Sequence, residues 1–266
     1  MIRALLERLR QKHRTVGYPA APPVLPDRFR GLPKLEPGKC PDGCGDCVAA
    51  CPVGAITRED GQVRIDMGKC LFCGDCAAAC PHGTLSFTRD HRLAARTRGE
   101  LMAGAGEPQL AAALDARMKS LFGRSLKLRQ VCAGGCGACE ADTNVLSTVV
   151  FDLGRFGIQF VASPRHADGL LVTGPVTENM ALALKKTYDA LPEPRIVIAV
   201  GACAISGGPY AGHDEVRNGA DSIVPVDLYI PGCPPHPITI LDGLLRLLGR
   251  LEADARNGGA SSHFIE

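Results

Sequence analysis

The sequence predicts two unlike folded units in series: a small α+β unit built on a duplicated cysteine loop, then an α/β unit built on an open parallel sheet. Three observations carry this. Residues 44–57 (CGDCVAACPVGAIT) and 73–86 (CGDCAAACPHGTLS) are identical at nine of fourteen positions with a constant offset of 29, the mark of a duplicated supersecondary unit. From Leu126 onward, near-continuous Val/Ile/Leu runs alternate with helical stretches, as strands buried on both faces do. Thirteen cysteines in 266 residues, an odd number, exceed what packing needs and do not suit complete disulfide pairing.

The elements follow in chain order. Residues 1–14 place Ile2, Leu5, Leu6 and Leu9 on one side of a short amphipathic helix among Arg3, Arg8, Arg10 and Lys12. So short a helix needs a surface to lie on, either a partner subunit or a membrane; the alternative is a frayed, solvated end. MIRALLERLRQKHRT lacks the apolar core of a signal peptide, and the most apolar stretch, LDGLLRLLGRL, is interrupted by Arg246. No membrane span is expected. Prolines at 19, 22, 23, 26, 33 and 37 make 17–38 an extended arm without regular structure.

Each repeat then reads as a cysteine loop, a helix of one to two turns (48–50; 77–79) and a short strand (55–57; 85–87). Neither half has apolar residues enough for its own core, so something inside must replace it. Residues 88–125 read as a linker with a Gly-rich break at 103–108 and a docking helix over 109–122 that lines up Leu110, Leu114, Met118 and Leu121. Beyond it come strands at LKLRQV, IQFVAS, GLLVTG, IVIAV and DLYI, and helices over 143–153, 179–191 and 238–251. The resulting units are 1–39, 40–87, 88–125 and 126–266. The net charge is +2. Residues 1–39 and 88–125 are basic and the two folded units acidic, a balance that points to no nucleic-acid partner.

Cys70-x2-Cys73-x2-Cys76-x3-Cys80-Pro81 is the bacterial ferredoxin spacing, in which three cysteines hold one [4Fe–4S] cluster and the fourth ligates the other. Zinc sites instead group cysteines in pairs across a long gap. The first motif, Cys40-x3-Cys44-x2-Cys47-x3-Cys51-Pro52, carries one extra residue in its first interval. Under the exchange rule Cys40, Cys44, Cys47 and Cys80 hold the first cluster, and Cys70, Cys73, Cys76 and Cys51 the second. The alternative for the first is a [3Fe–4S] site with Cys40 unbound.

The other five cysteines are distant in sequence but all follow strands, at the end of an open α/β sheet where sites form. Cys132, Cys136 and Cys139 follow LKLRQV, Cys203 follows IVIAV and Cys233 follows DLYI. Gly-rich GGCGAC and GGP (207–209) let backbone approach a bulky inorganic group. A phosphate loop is excluded, since no Lys-Ser/Thr follows. Of five candidates for four positions, Cys136-x2-Cys139 has the cluster-like spacing. Cys136, Cys139, Cys203 and Cys233 are therefore the expected ligands of a third [4Fe–4S] cluster, and Cys132 is a spare thiol.

In SPRHADGLLVTGPVT, YDALPEPRIVIAVGACAISGGPY and IVPVDLYIPGCPPHP, residues 126–251 resemble the iron–sulfur subunit common to membrane-bound [NiFe] hydrogenases of the formate hydrogenlyase type and to respiratory complex I. Residues 15–87, with GYP, FRG and the paired motifs, resemble the separate ferredoxin-like subunit of the same complexes, so the chain looks like a fusion of two neighbours. The resemblance implies a flavodoxin-like C-terminal domain, a 2x[4Fe–4S] ferredoxin-like N-terminal domain, and a cluster at Cys136, Cys139, Cys203 and Cys233 that faces a catalytic large subunit. Two residues between Cys136 and Cys139, and GPVT at 174–177, resemble the hydrogenase branch; complex I subunits have adjacent cysteines there. Cys132 has no role in either.

The resemblance further implies an electron-transfer subunit of a group 4 [NiFe] hydrogenase, peripheral on the cytoplasmic face of a membrane. Its partners would be the large subunit, membrane subunits, and a donor or acceptor such as a ferredoxin-type or formate dehydrogenase subunit. Alternatives are a complex I-like quinone- or ion-coupled oxidoreductase without hydrogenase activity, and a free polyferredoxin carrier. With no dinucleotide fingerprint, nucleophile–base constellation or nickel-type CxxC pairs, the chain is not expected to be catalytic alone. Glu140, Asp142, Arg165, His166 and His82 are further candidates for relaying protons or tuning a cluster, each against a plain solvated or structural role.

Overall fold

The computed structural model describes residues 2–36, 38–59, 61–104 and 111–251. The elements are α1 (Ile2–Gln11), β1 (Pro33–Leu35), α2 (Asp46–Ala49), β2 (Ile56–Glu59), β3 (Gln62–Asp66), α3 (Asp75–Ala78), β4 (Leu85–Phe87), β5 (Met102–Ala103), α4 (Ala116–Phe122), β6 (Leu126–Cys132), α5 (Ala138–Val145), β7 (Ile158–Phe160), β8 (Gly169–Thr173), α6 (Glu178–Asp189), β9 (Ile196–Val200), α7 (Ala202–Ser206), β10 (Leu228–Ile230) and α8 (Pro237–Leu247).

The C-terminal sheet is entirely parallel, in the order β7-β6-β8-β9-β10. Numbered within the domain this is 2-1-3-4-5, the flavodoxin-like arrangement, whose direction of winding reverses between its first and third strands. The reversal opens a crevice at the carboxyl ends of β6 and β8. Alternation along the strands explains the two-sided core: Leu170 and Val172 face one side with Val197, Ala199 and Tyr229, whereas Leu171 faces the other with Ile196, Ile198 and Val200. α8 lies against this second side, fully buried along its length.

The ferredoxin-like unit is a pair of matched halves. β2 pairs antiparallel with β3, and β4 pairs antiparallel with β1, so the proline arm does contain a strand. Pro33 enters as the first residue of that edge strand, where its missing N–H is tolerated. β3 and β5 were not legible in the sequence, because β5 supplies only Met102 and Ala103 as partners of Asp66 and Ile65. The unit's apolar residues, among them Ile56, Ile65, Met67 and Leu101, merge into the first side of the parallel sheet's core. Residues 88–103 stitch the two together. Ala95 exchanges backbone hydrogen bonds with Tyr229 on the edge of β10 (3.0 and 2.8 Å). Arg96 Nε donates to Asp227 O at 2.6 Å, and Ser206 Oγ to Gly68 O at 3.0 Å.

Two helices differ from expectation. The helix expected over 143–153 begins earlier and is shorter: Gly137, at φ +88°, turns the chain straight into α5 at Ala138. The helix expected over 109–122 starts only at Ala116, because Asp115 caps it by accepting from Met118 N at 2.8 Å. Phe122 then faces the core and Leu121 solvent. Leu110, residues 105–108 of the Gly-rich break and the tail beyond 251 lie outside the described residues.

Arg246, which interrupts the apolar run in α8, forms with Asp242 a buried pair one turn apart: Arg246 Nε donates to Asp242 Oδ2 at 2.9 Å. Tyr18, at the head of the arm, donates its hydroxyl to Asp242 Oδ1 at 2.6 Å, with His91 Nε2 3.3 Å from the same hydroxyl. Burial first, and then the Asp242 charge, hold the Tyr18 phenol far above its ordinary value, so it stays a donor. Asp242→Ala removes the buried carboxylate that Arg246 and Tyr18 share and is expected to cost about 3–5 kcal/mol. Thermal melting of the cluster-loaded chain measures it, and an unchanged midpoint would remove this network from the account.

Candidate iron–sulfur cluster sites

In each half of the ferredoxin-like unit a cysteine loop runs into a single-turn helix, so that the second and third cysteines straddle the helix start and the fourth follows its end. The electrostatic neighbours of the sulfurs show which cysteines lie near one another. Burial, and then the charges of Cys80 and Cys40, push the Cys47 thiol up. Burial pushes Cys70 up to about 12, opposed by Phe72 N–H and reinforced by Cys76, Cys51 and Cys73. Cys76 rises to about 11 through burial, with Cys73, Cys51 and Cys47 as its charged neighbours. Cys80, the last residue of the second motif, thus lies by the first motif, and Cys51 by the second. Cys44 is half-buried in the first loop and Cys73 exposed in the second.

Backbone N–H groups aim at the crossing sulfurs. Ala55 N donates to Cys51 Sγ at 3.2 Å and Thr84 N to Cys80 Sγ at 3.4 Å. Burial acts to raise the half-buried Cys80, but the N–H groups of Thr84, His82 and Leu85 together bring it below the ordinary thiol value. His82 itself is exposed, so its part here is played by the backbone.

The third group forms where the parallel sheet predicts it. Cys132 ends β6, Cys136 and Cys139 lie in the loop and first turn of α5, Cys203 lies in α7 directly after β9, and Cys233 follows β10. Burial first, and then Cys203, Glu140, Cys233 and Cys136, drive the Cys139 thiol well above its ordinary value. Cys203 is pushed up to about 11 by burial and then by Cys233 and Cys136. Cys136 and Cys233 remain exposed, so the group opens onto the molecular surface.

Cys132 has Glu140 as its partner. Burial acts to raise Glu140, yet hydrogen bonds from the Cys132 thiol and the Thr173 hydroxyl hold its carboxyl below the usual range. Cys132 and Glu140 therefore brace the end of β6 against β8. Burial raises Asp142, which lines a cavity of about 300 Å³ between Phe29, Leu71, Phe72 and the Cys233 loop. The side chains of Arg165 and His166 are exposed and make no hydrogen bond or ion pair with the described residues; only the His166 N–H is engaged, donating to Ser163 O at 3.2 Å. The structure brings neither of them to the sulfurs.

The residues fit [4Fe–4S] clusters. Thiols crowded together suppress one another's ionisation, and a cationic iron core reverses this by taking them as thiolates. Space is reserved beside the sulfurs. A Cβ on Gly201, at φ +91°, would stand 2.5 Å from Cys139 Sγ, and one on Gly208 2.9 Å from Cys203 Sγ. Among the described residues no three His, Cys, Asp or Glu side chains gather closely enough for a single ion. Zinc, about 2.3 Å from each thiolate, needs that gathering; a cubane with one thiolate per iron takes a wider cage.

Residues 136–247 match the family described as NADH ubiquinone oxidoreductase, 20 Kd subunit. Residues 39–84 match the 4Fe-4S dicluster domain. Among solved structures, a chain of the membrane-bound sulfane sulfur reductase, an archaeal respiratory membrane complex, is 33% identical over 56% of this chain and 80% of its own length, with a TM-score of 0.45. Through residues 136–247 the chain belongs to the 20 Kd subunit family of NADH ubiquinone oxidoreductase, joined to a 4Fe-4S dicluster domain, and it is an iron–sulfur electron-transfer subunit of an oxidoreductase.

Proposed function

We propose that this chain is the electron-transfer subunit of a membrane-bound [NiFe] hydrogenase of the formate hydrogenlyase type, joining an external donor or acceptor to a catalytic large subunit. The clusters supply one-electron chemistry when bound. Cys40, Cys44, Cys47 and Cys80 would hold the first, Cys70, Cys73, Cys76 and Cys51 the second, and Cys136, Cys139, Cys203 and Cys233 the third. The chain's own work is to hold these thiolates, aim N–H groups at them and keep the first two sets in fixed register with the third. The observation that carries the reading is the convergence of four cysteines from three strand ends on a face that is left open, as a surface that hands electrons to another subunit must be. Leu71 and Phe72, from the second loop, share a cavity wall with Cys233, so the second set is adjacent to the third.

Two residues between Cys136 and Cys139 favour the hydrogenase branch over complex I. Peripheral attachment to the cytoplasmic face of the membrane is part of the proposal. Among the described residues no helix is long and apolar enough to cross a membrane, and α1 holds Ile2, Leu5, Leu6 and Leu9 in solvent beside Arg3, Arg8 and Arg10. Purification with its partner subunits should give a complex that contains nickel and evolves hydrogen from a low-potential donor. A large subunit without nickel and without hydrogen evolution would contradict it. The description of the matched family favours a second reading, a quinone- or ion-coupled oxidoreductase subunit without hydrogenase activity, which that same outcome would support.

A further inference from the structure

The two halves of the ferredoxin-like unit share nine of fourteen residues over their aligned motifs, and just beyond these they differ at a position whose side chain in the first half touches a sulfur. Arg58 stands on β2 with its side chain 18% exposed. Its Nη1 donates to Cys44 O at 2.5 Å and reaches Cys40 Sγ at 3.6 Å, while Nη2 donates to Pro41 O at 3.1 Å. Asp42 Oδ1 lies 3.7 Å away but is fully exposed, so it neutralises little of the guanidinium's charge. One planar fork therefore spans both ends of the loop that carries the extra residue.

The offset that superposes the repeats puts Phe87 at the equivalent position. Its ring packs against Phe72 of the second loop, with centroids 6.1 Å apart. Arg30 also reaches that loop, and among the described residues its side chain donates to Phe72 O alone, at 3.1 Å. The neutral donors differ by one, in favour of the second set. Ala55 N and Thr84 N occupy equivalent positions and serve one sulfur in each set, and Phe72 N adds a bond to Cys70 Sγ at 3.3 Å. What further distinguishes the sets is a charged donor on a sulfur of one and an aromatic ring beside the other.

We infer that Arg58 is a positioning and potential-setting residue of the first cluster: it clamps the longer Cys40–Cys44 loop so that Cys40 can ligate, and its charge raises that cluster's reduction potential above that of the second. This rests on Cys40 being a ligand. Charge and hydrogen bonds at the sulfurs are among the terms that set such potentials, and a charge-assisted donor is about twice as strong as a neutral one. Added negative charge on the reduced cluster is stabilised by the guanidinium, so the shift is toward the more positive side. The difference would make the two clusters thermodynamically unequal although their motifs share nine of fourteen residues.

The test is an EPR-monitored redox titration, with iron counting, of the full anaerobically reconstituted chain, as wild type, Arg58→Gln, Arg58→Lys and Cys40→Ser. In the wild type the cluster lost in Cys40→Ser should be the one of higher potential within the pair. Arg58→Gln should move that cluster alone to a lower potential, and Arg58→Lys should recover part of the shift. If Arg58→Gln fails to load the first cluster and Arg58→Lys loads it, the clamping role stands and the lysine variant still reports the potential. Wild-type potentials in both variants, or equal shifts of both clusters, would overturn the inference. A Cys40→Ser chain with unchanged iron and spectrum would instead show that Cys40 is no ligand, the separate failure of the reading beneath it.

Discussion

Cys80→Ser is expected to remove the first cluster and spare the second, although Cys80 closes the second motif. The loss should be about four of about twelve irons per chain, and Cys51→Ser should remove the complementary four. The cause is the short helix that ends each motif. α2 and α3 stop at Ala49 and Ala78, and the next cysteine emerges where the chain crosses to the other loop. Cys47 consequently has Cys80 and Cys40 as its charged neighbours, whereas Cys70 has Cys76, Cys51 and Cys73. Iron counts with EPR of single variants separate the possibilities. If Cys80→Ser and Cys70→Ser lost the same signal, each motif would be holding its own cluster and the crossed grouping would be wrong.

Cys203→Ser is expected to lose the third cluster, again about four irons, while both ferredoxin-type signals persist. Outer partners of a metal ligand cost about 10–100-fold in activity, so loss of a ligand itself should reduce turnover of the assembled complex by at least about a hundredfold. Cys132→Ser is the contrasting variant. It lies at the end of the same β6 that leads into the cluster loop, but its thiol is spent on Glu140, so iron content should not change. Iron loss in Cys132→Ser with retention in Cys136→Ser would reverse the assignment of the fourth ligand.

What could be read from the sequence was local. Thiolate spacing within a loop is fixed by a few residues, and strands such as Ile196–Val200, buried on both faces, are uninterrupted apolar runs. Together these located the cysteine groups, the parallel sheet and the end of it at which the cysteines meet. What was missed depends on partners far along the chain. β1 is a strand only because Leu85–Phe87 lies beside it, and β5 only because β3 does. The start of α4 shifted because one side chain, Asp115, captured a helix N–H.

Arg58 carries no signal of its own in the sequence and lies just past the strand expected at 55–57. Comparing the repeats beyond their identical positions, Arg58 against Phe87, was the signal that could have singled it out. Arg246 was legible only as an interruption of an apolar helix. Its value to the fold appears once Tyr18, more than two hundred residues earlier, meets Asp242.

The most direct test of the account is quantification of iron, acid-labile sulfide and zinc in the anaerobically isolated full chain, with EPR of the reduced protein. Three [4Fe–4S] clusters predict about twelve irons and about twelve sulfides per chain, no stoichiometric zinc, and a signal that disappears in Cys203→Ser. About eight irons, with the same spectrum in Cys203→Ser as in the wild type, would mean that the cysteines at the ends of β6, β9 and β10 hold no cluster.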